Sequence, residues 1–261
     1  LLLGLQTFHP FAYCPSWAPI GAASLDEKLA TMRDPAFRAK LLAEIEVVFA
    51  EPSPFMDPDR SFLVGTVPDY EPPRDQSVGA LARAQGRPVM ETYYDLLMSD
   101  DGLALIMRPL LNYAGFNLDP TREMLLHPTS AWGLADGGAH CGTTCDASTP
   151  TFMLAHWTRD RAHDRLPLEW VVKKMTADTA SMYGLGDRGV LAPGKVGDAN
   201  VIDYAHVQLD RPVMVHDLPG DARRFVQRAR GYAATIKSGE VVLVDGDDQG
   251  SRPGRLLRGA R

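Results

Sequence analysis

The spacing of hydrophobic and polar positions changes along the chain, and these changes predict where strands and helices lie. Residues 1–6 form a continuous apolar run, which is typical of a strand buried on both faces in a parallel sheet. Pro35–Val48 places apolar residues at helical intervals instead. Ser24 and Glu27 have the spacing of a capping box, which predicts that a helix starts there and runs to Met32. Strands that alternate with helices predict an α/β fold.

The same alternation continues to about residue 186. Apolar runs at 62–65 and 131–136 predict further strands, and 103–111 is another apolar segment. Helical spacing recurs between and after these runs, and it predicts helices at 78–84, 89–98, 122–126, from Thr149 onward, and at 167–183. Gly184 is placed to end the last of them.

The pattern becomes β-rich after Gly189. Short β-prone runs at 199–203, 232–236 and 240–245 are separated by glycine-containing turns. We therefore predict two domains, an α/β domain over residues 1–186 and a small β-domain over residues 187–261.

Composition and charge narrow the function classes. The chain has 27 Lys and Arg residues against 33 Asp and Glu, a net charge of -6, which gives no general attraction to nucleic acid. No stretch approaches the roughly 20 apolar residues of a membrane-spanning helix. Three cysteines do not indicate a disulfide framework, so we predict a cytoplasmic protein.

One carboxylate lies where α/β barrels place catalytic groups. Asp136 ends the apolar run 131–136 and is followed by Gly137 and Gly138. The carboxyl ends of barrel strands face the substrate, so an acid at that position is a catalytic candidate, although it could also cap a helix or turn.

Other chemistry-bearing residues have simpler interpretations. Cys141 and Cys145, with His140 and Asp146 nearby, could coordinate zinc, but a second ligand pair is not obvious. His9 precedes a proline and is interpreted as a loop-edge histidine, and His156 as a histidine packed on a helix.

Four segments together carry a resemblance to a known family. They are residues 136–142 (DGGAHCG), 146–151 (DASTPT), 156–160 (HWTRD) and 183–203. They resemble the N-acyl-D-amino-acid deacylase (D-aminoacylase) branch of the amidohydrolase superfamily. The resemblance implies the C-terminal half of a (β/α)8 TIM-type barrel, followed by part of a small β-sandwich domain.

The resemblance also implies a reaction and a site. It assigns Asp136 to a divalent metal, expected to be zinc, and to proton transfer in the hydrolysis of an N-acyl-D-amino acid or a similar small amide. A carboxylate beside a metal-bound water can take up a proton and pass it to the leaving amine. Gly137, Gly138 and His140 are expected to shape the substrate pocket.

The sequence departs from the family pattern in its metal ligands. The early His-x-His pair, the middle cysteine or acid, and two further histidines are missing, so we expect the missing ligands before Leu1 and little activity from this chain alone. We expect a homo-oligomer or a complementing N-terminal half as a possible partner. The alternatives are a cyclic amidase of the hydantoinase or dihydroorotase type, and a non-catalytic half-barrel that completes another chain's site.

Overall fold

The structure is a computed structural model, which describes residues 1–50, 56–133 and 140–258. Its helices are α1 (Leu25–Met32), α2 (Pro35–Val48), α3 (Val78–Gln85), α4 (Val89–Met98), α5 (Asp119–Leu126), α6 (Thr149–Phe152), α7 (Leu168–Lys173) and α8 (Thr179–Met182). The π-helical turns Met153–Asp160 continue α6, and the π-helical turns Lys174–Asp178 connect α7 to α8. No helix in these ranges is long and apolar enough to cross a membrane.

The strands are short. They are β1 (Leu2–Leu3), β2 (Phe62–Leu63), β3 (Ile106–Met107), β4 (Ala199–Ile202), β5 (Gln208–Leu209), β6 (Val213–Leu218), β7 (Ala222–Val226), β8 (Ala229–Arg230), β9 (Tyr232–Lys237), β10 (Glu240–Val244) and β11 (Asp247–Asp248). Helices and strands both occur in each half of the chain, so the predicted α/β content is confirmed.

The described residues form two compact units, and each unit is assembled from separate stretches of sequence. The first unit contains Leu1–Glu123, Met214–Phe225 and the described part of 139–144. The second contains the remaining described residues up to 258. Because these stretches interleave, neither unit coincides with the domains predicted at 1–186 and 187–261, and that boundary stays a prediction.

The first unit packs four helices around a small sheet. β3 lies between β1 and β2 and pairs antiparallel with both. The core around this sheet is formed by residues that are almost fully buried, including Leu3, Phe11, Leu41, Tyr93 and Leu97. The capping box at the start of α1 is present, with the Ser24 side chain accepting from the Glu27 backbone and the Glu27 carboxylate accepting from the Ser24 backbone.

The parallel pairing expected for the early strands is wrong. The ladders that join β1, β2 and β3 are antiparallel, and β1 ends after Leu3 because the chain enters a turn at Gly4. The apolar run 1–6 is largely buried, as predicted. It forms a two-residue strand followed by a turn, however, and not one continuous strand. The described residues show no closed barrel, so the half-barrel stays a prediction for the complete protein.

The second unit combines two helical segments with a β-rich part. Its main sheet has the order β11-β10-β9-β4, with antiparallel neighbours throughout. β4, β9 and β10 cover the three β-prone runs that the sequence predicted. Gly184 follows α8 with a left-handed φ of 69°, as expected for a residue that ends a helix.

One carboxylate connects the loop before β4 to the turn between β9 and β10. Asp198 accepts hydrogen bonds from the Lys237 ammonium at 2.8 Å and the Ser238 backbone at 2.8 Å. Arg188 donates a third bond to it at 3.3 Å. The hydrogen bond from Lys237 is the largest cause that lowers the pKa of Asp198, followed by the Ser238 amide and then by the charges of Lys237 and Arg188. Asp198, within the passage 183–203, therefore has a structural role of its own.

We expect Asp198→Asn to lower the free energy of unfolding by about 1–3 kcal/mol at pH 7, because two cations lose their charged acceptor. Since the folded pKa of Asp198 is lowered, its contribution is present above the unfolded value near 3.8 and is lost as the pH falls below it. Urea unfolding of the wild type and of Asp198→Asn at pH 7 and pH 3 measures this difference in the free energy of unfolding. Asp245→Asn, at an exposed turn of the same sheet, is the control; an equal loss in both variants would contradict the assignment.

Candidate active site

Most of the predicted site residues lie outside the described part of the chain. Asp136, Gly137 and Gly138 fall within 134–139, so their roles stay predictions. The predicted strand 131–136 is described only at 131–133, where the backbone has no regular secondary structure. Of the four predicted residues, the structure places His140.

His140 starts a tight turn that its own carbonyl holds together. Its φ is 52°, in the left-handed region, and its side chain is exposed. The His140 carbonyl accepts hydrogen bonds from the Thr143 backbone at 2.7 Å and the Thr144 backbone at 2.9 Å. Both threonine hydroxyls donate to the same carbonyl. The exposed imidazole is therefore attached to a backbone turn that these four hydrogen bonds hold together.

This turn, residues 140–144, is bonded to two distant stretches of the first unit. The Leu2 backbone donates to the Thr143 carbonyl at 2.7 Å, which joins the turn to β1. The Phe225 backbone donates to the Cys141 carbonyl at 2.6 Å, which joins it to β7. Residues 140–144 are therefore held beside β1 and β7.

A second turn lies immediately after β1. The Thr7 backbone donates to the Gly4 carbonyl at 3.1 Å, which closes a β-turn over 4–7. A Cβ at Gly4 would lie 3.0 Å from the Ala104 carbonyl oxygen, so a glycine permits this close approach. The Thr7 hydroxyl donates to the Gly142 carbonyl, which joins the 4–7 turn to the 140–144 turn.

His9 is buried rather than at a loop edge. It is 1% exposed and packs edge-on against Trp17, with ring centroids 4.3 Å apart. Burial, and then the charge of Lys28, lower the pKa of His9 from 6.5 to about 3, so the imidazole is neutral at physiological pH. The interpretation from sequence was wrong because the proline after His9 starts a helical turn that folds back over the core.

Two cations contact the 4–7 turn, and sequence reasoning identified neither. The Lys28 ammonium donates to the Leu5 carbonyl at 3.4 Å, and an Arg223 nitrogen donates to the Gln6 carbonyl at 2.8 Å. A signal existed for Lys28, which lies at helical spacing from Leu25 and Met32 on the buried face of α1. No local signal existed for Arg223, which is 217 residues from its acceptor.

In the second unit, side chains of the segments 146–151 and 156–160 form hydrogen bonds and ring contacts within the fold. His156 is half-buried and stacks on Phe152 with ring centroids 4.6 Å apart, so its prediction as a packed helix histidine is confirmed. Arg159 donates to the backbone carbonyls of Tyr204 and Val207, which joins the helical segment to the loop before β5. The Thr151 hydroxyl lies 2.8 Å from the Tyr232 hydroxyl.

The second unit also has an open cleft of about 350 Å³. Trp132 and Met182 line it together with Lys174, Asp178 and several hydroxyls. Lys174 is committed to the Ser130 carbonyl at 3.1 Å and lies 3.8 Å from Asp178. Within the cleft, Asp178 forms ion pairs with Lys174 and with Lys173.

Neither unit, taken by itself, supplies a complete catalytic zinc site among its described residues. Such a site needs three protein ligands. Within either unit taken by itself, the described residues bring no three His, Cys, Asp or Glu ligand atoms within 4.8 Å of one another. Asp136, the ligand that the family resemblance implies, lies in 134–139.

Comparison with known proteins finds one family and three solved structures. The family model described as "Amidohydrolase family" matches residues 3–243. No curated protein matches the chain.

The structures are all D-aminoacylases. A crystal structure that defines a novel subset of amidohydrolases is 22% identical, with a TM-score of 0.35, over 74% of this chain and 36% of that one. A D-aminoacylase mutant in complex with CuCl2 is 19% identical, with a TM-score of 0.37, over 92% and 47%. A structure concerned with the binuclear metal center of D-aminoacylase is 18% identical, with a TM-score of 0.33, over 89% and 46%. This chain thus spans between about a third and a half of their length.

We expect His9→Phe to flatten the acid dependence of stability. The unfolded imidazole takes up a proton below pH 6.5 and the folded one only near pH 3, so His9 lowers the free energy of unfolding as the pH falls through this range. Each unit of difference in pKa corresponds to about 1.4 kcal/mol. Phenylalanine keeps the aromatic contact with Trp17 and does not titrate.

Urea unfolding at pH 7, 5.5 and 4.5 measures the difference between the two proteins. His127→Phe, at an exposed position, is the control and should keep the wild-type slope. If His9→Phe and the wild type lose stability in parallel, the neutral buried state of His9 is wrong.

Proposed function

Because the chain belongs to the amidohydrolase family, we propose that the complete protein hydrolyses the amide bond of an N-acyl-D-amino acid or a related small amide. The observation that carries this proposal is the family match over residues 3–243, which contains the segment 136–142. The choice of an N-acyl-D-amino acid rests on the resemblance of 136–142, 146–151 and 156–160 to the deacylase branch.

Asp136 is the proposed general acid and base. A carboxylate can take a proton from the attacking water and return it to the leaving nitrogen, which is otherwise a poor leaving group. Such proton transfer contributes roughly 100- to 10,000-fold to a rate. The resemblance of residues 136–142 to the deacylase branch is what supports this role for Asp136.

His140, Gly137 and Gly138 are proposed to shape the substrate pocket. The exposed His140 side chain on a bonded turn supports this, since it can reach a bound molecule without rearrangement of the backbone. Zinc is the cofactor that we propose for the complete protein, with ligands beyond those that the described residues supply. The half-barrel architecture, the cytoplasmic location and a complementing partner or homo-oligomer belong to the same proposal.

We expect Asp136→Asn in the complete protein to lower kcat by roughly 100-fold or more, because asparagine cannot exchange a proton. The assay uses N-acetyl-D-methionine with added zinc and follows release of the free amine. The chain of residues 1–261 is assayed beside the complete gene product. Asp245→Asn is the matched control and should keep the wild-type rate.

Several outcomes would overturn parts of this proposal. An unchanged kcat in Asp136→Asn would remove its role. Turnover of a hydantoin or dihydroorotate in place of the N-acyl amino acid would assign a cyclic amidase instead. An inactive complete protein that forms a defined complex in size-exclusion chromatography would favour the non-catalytic half-barrel.

A further inference from the structure

Two cationic side chains of the first unit, Lys28 and Arg223, contact the turn that follows β1, and His9 packs on the same Trp17 ring as Lys28. We define the basic cluster as His9, Lys28 and Arg223. Lys28 and Arg223 bind the carbonyls of Leu5 and Gln6, which are consecutive residues. His9 lies two residues beyond the 4–7 turn and shares the Trp17 ring with Lys28, whose ammonium lies 6.0 Å from the ring centroid.

Lys28 is an unusual residue in this position because it is only 8% exposed. Burying an ammonium group is costly unless a negative charge or several acceptors compensate it. Its acceptor among the described residues is one carbonyl, at the long distance of 3.4 Å. Burial, and then the charge of Arg223, lower the pKa of Lys28, so each cation opposes the charge of the other.

The described residues supply no carboxylate to this cluster. Neither Lys28 nor Arg223 forms an ion pair within the ranges that the structure covers, whereas Arg224, the next residue on β7, pairs with Asp217 at 2.7 Å. Lys28 and Arg223 thus keep N–H groups that no described acceptor uses.

His9 contributes a buried polar atom of the same kind. Its Nδ1 is buried and has no hydrogen-bond partner among the described atoms. Buried polar atoms are usually paired, so an unpaired one suggests a missing ligand or water. A metal cation would be repelled by Lys28 and Arg223, whereas an anion is attracted by both and can accept their hydrogen bonds.

The cluster is open to solvent on one side. The Arg223 side chain is exposed, and a Cβ at Gly142 would lie 3.6 Å from its Nε. The guanidinium therefore lies against the 140–144 turn, whose Gly142 carbonyl also accepts from Thr7. The basic cluster adjoins the turn that presents His140.

We propose that the basic cluster binds a monocarboxylate, with Arg223 and Lys28 donating to its two oxygens. A carboxylate suits a planar guanidinium fork and a single ammonium, and it requires fewer donors than a phosphate. The identity of the natural ligand rests on the proposed function, in which both the N-acyl amino acid and the released acid are carboxylates. The binding of a carboxylate as such does not require turnover.

The test is a calorimetric titration of the full chain at pH 7 in low salt, without added metal. The probes are acetate, N-acetyl-D-methionine, N-acetyl-D-methioninamide and inorganic phosphate. We expect the two carboxylates to bind and the amide, which lacks the charge, to bind at least tenfold more weakly. Comparison of the affinities for acetate and N-acetyl-D-methionine distinguishes a site that binds any carboxylate from one that also contacts the rest of the acylated amino acid.

Four variants make the test specific. Arg223→Met and Lys28→Met should each weaken carboxylate binding at least tenfold, and Lys28→Arg should restore much of the loss. Arg224→Met is the matched control and should bind like the wild type. Arg223 is exposed, so its variant tests the cluster even if Lys28→Met fails to fold, which circular dichroism reports.

Equal affinity for acid and amide, preferred binding of phosphate, or unchanged binding in Arg223→Met would each overturn the proposal. Carboxylate binding by a complete protein without amidase activity would support the basic cluster and remove the proposed function. A third outcome is that Arg223→Met still hydrolyses the amide with an unchanged KM but no longer binds carboxylates. This result would support the basic cluster as a carboxylate site and exclude the substrate as its ligand.

Discussion

The first unit depends on backbone hydrogen bonds between stretches that are far apart in sequence. The turn 140–144 bonds to Leu2 on one side and to Phe225 on the other, so three separate parts of the chain share one set of paired amides and carbonyls. Bringing such distant stretches together costs chain entropy, and buried backbone groups left unpaired would cost more. We therefore expect β1, the 140–144 turn and β7 to form their mutual hydrogen bonds cooperatively.

This backbone pairing also determines where the polar side chains of the region lie. Backbone hydrogen bonds close each of the two turns 4–7 and 140–144, and the Thr7 hydroxyl joins one turn to the other. Positive charge collects where these turns meet, and the exposed His140 lies on the same turn as Gly142. Two basic groups, Lys28 and Arg223, thus contact the 4–7 turn, which is joined to the 140–144 turn.

The helices of this chain were predictable because their signals are local. The bounds of α2 and α4 match the predicted ranges, and the capping box of Ser24 and Glu27 is formed as its spacing indicates. The strands β4, β9 and β10 were also recognised from their β-prone residues. In each case the information lies within one stretch of neighbouring residues.

Strand pairing and the basic cluster were not predictable in the same way. The antiparallel order around β3 depends on pairings across about 45 to 105 residues, which no local period encodes. Arg223 meets Gln6 only after β7 has joined the first unit. The strands β5 to β8 were missed because they are short or rich in charged residues, as in the sequence ARRFV of β7.

The interleaving of the two units bears on how this chain can be dissected for expression. A truncation made at residue 186, where the sequence texture changes, would remove β7 and with it the amide of Phe225 that pairs with Cys141. The fragment would keep every helix of the first unit yet leave the Cys141 carbonyl without its partner amide. A soluble excised fragment would require residues 214–225 to be grafted back, for example through a designed linker.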